Sequence, residues 1–120
     1  MNDSTTTLND LKLVMKKFVE ERDWQQFHTP KNLAMNIAAE AAELMELFLW
    51  VDSADAPATL EKNRAAVEDE VADICCGLIN FCLRNNIDIA SAIEKKLVKN
   101  AAKYPVDKCK GKAVKYNLLD

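Results

Sequence analysis

The sequence predicts an all-α protein, a four-helix, bundle-like subunit. Its 120 residues include only two glycines and three prolines, which leaves little turn chemistry for a sheet. Long runs rich in Ala, Leu, Glu and Lys have the composition of helices. Apolar residues also recur at helical spacing along the chain. The length suits one domain, residues 1–120, with a single modest core.

Residues 1–4 carry no pattern and are expected to fray. Thr5 to about Glu20 reads as an amphipathic helix, with Leu8, Leu11, Val14, Met15 and Phe18 at helical spacing. Residues 23–29 break that pattern. Thr29 followed by Pro30 starts the second helix, because a hydroxyl caps the free N–H groups and proline fits the first turn. This helix runs to about Val51. Residues 52–58 form a short connection, and Thr59 is placed to cap a third helix running to about Arg84, where Asn85-Asn86 ends it. Asp88 caps a fourth helix that stops before Tyr104-Pro105, since proline disfavours helix in the residue before it. Residues 106–120 form a lysine-rich tail, extended or ordered only by contacts. No repeat of solenoid length is present.

The third helix is apolar nearly all round. Cys75, Ile79 and Leu83 lie opposite Glu70, and one small subunit cannot easily cover both sides of such a helix. That points to a homo-oligomer, a homodimer or homotetramer, built through helix packing.

Several classes are excluded. A net charge of -3 does not suggest binding to a nucleic-acid polymer. No apolar run is long enough to span a bilayer without charge, and the polar start lacks the basic and apolar regions of a secretory leader. No membrane association is expected, and the expected location is the cytoplasm. Cys75, Cys76, Cys82 and Cys109 show no metal-site spacing, and His28 is the one histidine. The first three cysteines are expected to be small buried hydrophobes and Cys109 an exposed thiol.

Two acidic pairs carry the chemistry. Glu40-Ala-Ala-Glu43 and Glu70-Val-Ala-Asp73 each have i, i+3 spacing, so both carboxylates of a pair share a helix face. Winding residues 31–52 at roughly 100° per residue puts Glu40 within the apolar stripe of Leu33, Ile37, Leu44, Leu47 and Val51. Glu70 falls likewise among Val67, Ile74, Gly77 and Phe81, leaving Glu43 and Asp73 toward the edge. A carboxylate on a core face is costly unless its charge is compensated. An all-oxygen set suits Mg²⁺, or Mn²⁺, over zinc or copper. Mg²⁺ commonly completes its shell with substrate phosphates, so a phosphate-ester site is plausible, although lone acidic pairs are usually surface residues.

On the fourth helix Lys96, Lys99, Asn100 and Lys103 fall within roughly one third of the circumference. They suit phosphate oxygens, and equally a solvated basic face. Trp24 and Trp50, near the two ends of the second helix, suit stacking on a base, although core packing is the commoner fate of an indole. No glycine-rich phosphate loop occurs.

Taken together, Trp24-Gln-Gln-Phe-His28-Thr-Pro30-Lys-Asn32-Leu, Glu40-Ala-Ala-Glu43-Leu-Met-Glu-Leu-Phe48-Leu-Trp50, Glu70-Val-Ala-Asp73-Ile and Lys103-Tyr104-Pro105 resemble the MazG-type all-α nucleotide pyrophosphohydrolases. The likeness spans roughly residues 18–105 and is nearest the small, single-domain dCTP pyrophosphatase-like branch. The resemblance implies Mg²⁺-dependent hydrolysis of a nucleoside triphosphate between its α- and β-phosphates, with dCTP or a modified deoxynucleotide as substrate, in house-cleaning of the nucleotide pool. It implies that Glu40, Glu43, Glu70 and Asp73 hold the metal and that one of them, or a metal, activates the attacking water. It also implies that Trp24, His28 and Trp50 lie at the base and sugar, and that Lys96, Asn100, Lys103 and Tyr104 meet or shape the triphosphate pocket. Tight assembly, with neighbouring subunits helping to complete each site, is a further implication. Ala39 stands where many relatives have an extra glutamate, a feature shared with the dCTP-preferring branch. Gly77 stands where a bulkier side chain occurs in relatives, which implies a different pocket floor.

Two other readings compete. A di-iron carboxylate bundle needs Glu-x-x-His pairs, and neither acidic pair has a histidine. A non-catalytic helical module, binding nucleotide or protein, accounts for the amphipathic helices but not for carboxylates on core faces.

Overall fold

The structure, a computed structural model, describes residues 1–120. All regular structure is helical: α1 (Leu8–Glu20), α2 (Pro30–Glu46), α3 (Ala56–Lys62), α4 (Arg64–Arg84), α5 (Ile89–Lys103) and α6 (Val106–Cys109). Single 3₁₀ turns lie at Gln25–Phe27, Ser53–Asp55 and Tyr116–Leu118. The chain divides into two compact units, Met1–Asn86 and Ile87–Asp120. No helix is long and apolar enough to cross a membrane.

In the first unit α4 packs against both α1 and α2. α1 begins with a capping box, in which Thr7 accepts from the Asp10 N–H and the Asp10 carboxylate accepts from the Thr7 N–H. The Thr7 N–H, and after it the Thr7 hydroxyl, hold the Asp10 carboxyl below the usual carboxylate range. α2 begins where Thr29-Pro30 places it, with the Asn32 N–H donating to Thr29 Oγ1 at 3.2 Å. Thr29→Ala should therefore cost about 1 kcal/mol. A lower urea midpoint with an unchanged slope would show it.

Helices α2 and α4 run antiparallel. His28, just before α2, meets Asn80 near the end of α4, while Glu40 and Glu43 meet Glu70 near its start. Gly77 lets the two backbones approach, since a Cβ there would lie 3.1 Å from Ile37 Cγ1. The buried apolar side chains are Val19, Leu33 and Ile79, one from each of α1, α2 and α4. Around this small core Met35, Met45, Val71 and Leu78 remain exposed.

Several expectations are corrected. In the first residues Asn2 Oδ1 accepts from the N–H groups of Ser4 and Thr5, winding an exposed turn where no pattern was expected. α2 ends at Glu46, five residues early, because successive bonds to the third residue back tighten the chain, as from Phe48 N–H to Met45 O. Trp50 then takes the left-handed conformation, φ 61°. The third predicted helix is two helices, α3 and α4, broken at Asn63. Thr59 does not cap it but lies inside α3 and donates its hydroxyl to Asp55 O at 3.0 Å. Asn63 turns its own amide onto Thr59 O at 3.0 Å, a local bond that competes with helix continuation. Cys75 and Cys76 are exposed, and Cys82, also expected to be buried, is half-buried, as is Cys109. All four thiols are free.

In the second unit Asp88 caps α5, its Oδ1 accepting from Ser91 N–H at 2.8 Å. Tyr104 closes the helix, as the following proline requires. The tail is ordered by contacts with this helix end. Tyr104 and Tyr116 meet edge to face with ring centroids 6.1 Å apart, and the Tyr116 N–H donates to the Tyr104 hydroxyl at 3.2 Å. The Lys103 ammonium lies 4.7 Å from the Tyr116 ring centre, and the Cys109 thiol donates to Tyr104 O and Pro105 O.

Candidate functional site

α2 and α4 each carry a line of chemically distinctive residues along one face. On α2, Asn32, Asn36, Glu40 and Glu43 fall within roughly 80° of the helix circumference. On α4, Glu70, Asp73, Gly77 and Asn80 do the same. Because the helices are antiparallel, acids gather at one end of the pair and amides at the other.

At the acidic end, one oxygen from each of Glu40, Glu43 and Glu70 lies within 4.8 Å of the others. Glu40 and Glu70 are half-buried, while Glu43 and Asp73 are exposed, the arrangement that helical winding requires. Glu40 Oε2 and Glu70 Oε2 are fully buried and have no hydrogen-bond partner. Both carboxyls are pushed above the usual range, first by desolvation and then by neighbouring acids: Glu43 and Asp73 act on Glu40, and Glu43, Asp73 and Glu40 on Glu70. Like charges this close need a proton or a cation. Unpartnered oxygens and an all-oxygen donor set fit a hard divalent metal. Asp73 stands outside the three-residue cluster and acts on it through its charge.

A cavity of about 360 Å³ leads from Glu40 and Asp73 to Trp24 and His28. Phe18, Trp24 and Leu33 form apolar parts of its wall, with the Trp24 ring edge-on to Phe18 at 5.9 Å. The Arg22 guanidinium lies 3.8 Å from the Phe18 ring centre and steadies that pair. At the amide end His28 Nδ1 lies 3.0 Å from Asn80 Nδ2. An amide nitrogen can only donate, so Nδ1 accepts and the ring proton sits on Nε2. Burial, followed by the charge of Arg84, lowers the His28 pKa, so the ring is neutral at pH 7. Asn32 donates to Phe27 O at 2.9 Å and so ties the 3₁₀ turn to α2. Cys76 also borders the cavity, but burial and the charge of Asp73 push its thiol pKa up, which disfavours a thiolate nucleophile.

The structure thus brings together Glu40, Glu43 and Glu70, and joins Asp73, Trp24 and His28 to the same cavity region. Trp50 does not line that cavity and is 100% exposed. Lys96, Asn100, Lys103 and Tyr104 belong to the second unit, where Lys103 and Tyr104 hold Tyr116. Asn32, Asn36 and Asn80 were not anticipated from the sequence. Their signal was present, because Asn80 shares a helix face with Asp73 and Gly77, as Asn36 does with Glu40.

Residues 35–119 match the profile of the MazG-like family. The chain is similar to dCTP pyrophosphatase 1 of Rattus norvegicus, with 38% identity over 94% of this chain and 68% of that protein. It is 34% identical to dCTP pyrophosphatase 1 of Homo sapiens over the same shares. A crystal structure of a pyrophosphatase from Archaeoglobus fulgidus superposes with a TM-score of 0.81 at 35% identity, covering 88% of this chain and 98% of that one.

Proposed function

The chain belongs to the MazG-like family, and from that premise we propose that it is a nucleoside triphosphate pyrophosphohydrolase preferring dCTP. It consumes one water and one (d)NTP, breaks the link between the α- and β-phosphates, and yields the (d)NMP and pyrophosphate. The observation that carries this reading is the pair of buried, unpartnered oxygens, Glu40 Oε2 and Glu70 Oε2, beside Glu43 at one end of an aromatic-walled cavity. The two ends suit the two ends of a nucleotide.

Glu40, Glu43, Glu70 and Asp73 are the proposed holders of Mg²⁺, with Mn²⁺ as substitute. When bound, such an ion neutralises phosphate charge and lowers the pKa of water. The carboxylates supply the rest. Desolvation and neighbouring acids raise the proton affinity of Glu40 and Glu70 in the metal-free site; with the ion held, a carboxylate of the cluster not engaged by it would accept the proton of the attacking water. Trp24 offers a half-exposed indole face to the base, and neutral His28 offers its Nε2–H. For Lys96, Asn100, Lys103 and Tyr104 of α5 the proposal is the phosphate contact that the family resemblance implies. A homo-oligomer of helical-bundle subunits is part of the same reading, supported by the small core and by exposed Met35, Met45, Leu78 and Trp50. The proposed role is house-cleaning of the cytoplasmic nucleotide pool.

Incubating the protein with a dNTP panel and Mg²⁺ tests the activity. Pyrophosphate should appear with dCTP ahead of the other dNTPs. Orthophosphate release, or equal turnover without added divalent metal after chelation, would sink the reading.

A further inference from the structure

Asn80 is the one buried polar side chain in the chain, 4% exposed, and it lies at the amide end of the α2–α4 pair. A buried amide on a helix face is costly unless every polar atom is satisfied. Here only half of it is. Nδ2 donates to His28 Nδ1, while Oδ1 is fully buried and has no partner. Asn80 borders the cavity, alongside His28, Trp24 and Asn36. Its oxygen is an acceptor without a donor in this arrangement, in which Nδ2 faces His28 Nδ1. Reversing it would set Oδ1 against Nδ1 and require His28 to move its proton to that nitrogen.

We propose that Asn80 is the residue that reads the base, with Oδ1 accepting from the exocyclic amino group of a 4-aminopyrimidine while Nδ2 keeps the His28 proton on Nε2. Cytosine offers Oδ1 its complement, an amino donor at C4. Uracil and thymine place a carbonyl at C4, so that two acceptors face each other and Oδ1 stays unpaired. A site that leaves a buried polar group unpaired rejects the wrong ligand more strongly than an apolar pocket rejects a missing methylene. This assignment rests on the nucleotide reading above and adds to it the group that selects the base.

Binding, measured without turnover, separates the two. The α,β-methylene analogues of dCTP and dUTP cannot be cleaved at that bridge, and their dissociation constants can be measured by calorimetry with Mg²⁺ present. The wild-type protein should bind the cytosine analogue at least about 10-fold more tightly, the worth of one buried hydrogen bond. Asn80→Ala should bring the two constants within about 3-fold, mainly by weakening the cytosine analogue. Asn80→Leu, with the same branched side-chain skeleton and no hydrogen-bonding atoms, should do the same and serves if the alanine variant does not fold by circular dichroism. Equal affinities in the wild-type protein overturn the assignment, whatever the variants do. A wild-type ratio preserved in either folded variant also overturns it, since a purely structural Asn80 would weaken both analogues alike. If the wild type discriminates but releases no pyrophosphate from dCTP, the hydrolytic reading fails and the base assignment stands.

Discussion

Glu40→Gln should lower kcat/KM for dCTP by about 100-fold or more and raise the melting temperature of the metal-free protein. Both effects come from the same crowding. In the folded, metal-free protein Glu40 and Glu70 hold their protons more tightly than in the unfolded chain, because desolvation and neighbouring carboxylates disfavour their charge. As pH rises from the ordinary glutamate range toward the raised folded values, the folded state binds more protons than the unfolded one. Stability must therefore fall with rising pH across that window. A divalent ion reverses the penalty, so Mg²⁺ should raise the melting temperature most at the top of the window. Glutamine keeps the shape and removes one charge, which flattens the pH slope and shrinks the Mg²⁺ response. Pyrophosphate assays and thermal melts over a pH series, with and without Mg²⁺, check each part. A variant with undiminished activity would remove Glu40 from the chemistry.

Leu33→Ala should cost about 3 kcal/mol, within the usual range for truncating a buried leucine. Leu33 is 4% exposed and is the buried apolar residue that α2 contributes to the core. With Val19 and Ile79 as its buried apolar companions, little remains to collapse into the space. The loss should appear as a lower urea midpoint, measured at one protomer concentration because assembly adds to apparent stability. By contrast Leu13→Ala should cost well under 1 kcal/mol, since that side chain is already more than half exposed. Equal costs at the two positions would place the core elsewhere.

Two helix starts were legible in the sequence. Thr29-Pro30 and Asp88 announce α2 and α5 because a capping side chain acts on N–H groups two or three residues away, within reach of local sequence. The breaks were less legible. Asn63 and Thr59 are compatible with helix, and only their particular bonds to Thr59 O and Asp55 O show that α3 and α4 are separate. The acidic end of the candidate site could be found from winding alone, since charge on an apolar stripe is conspicuous. The amide end was missed because asparagine in a helix is unremarkable until burial and partners are known. Asn80 differs from a surface asparagine only through His28, fifty-two residues away. The exposure of Cys75 and Cys76 was equally hidden, because an apolar sequence face does not say whether its own chain covers it.

α4 is a single helix from Glu70 to Asn80, ten residues that rise about 15 Å. That separation makes the helix a spacer between two kinds of change. Substitutions near Asn80 can retune which heterocycle is admitted while the carboxylates ten residues away keep their arrangement. Effects at sites this far apart generally add, so the selectivity of one end can drift, or be engineered, without rebuilding the other. A one-residue insertion between them would do the opposite, turning the stripes about 100° out of register and disconnecting recognition from hydrolysis in one step.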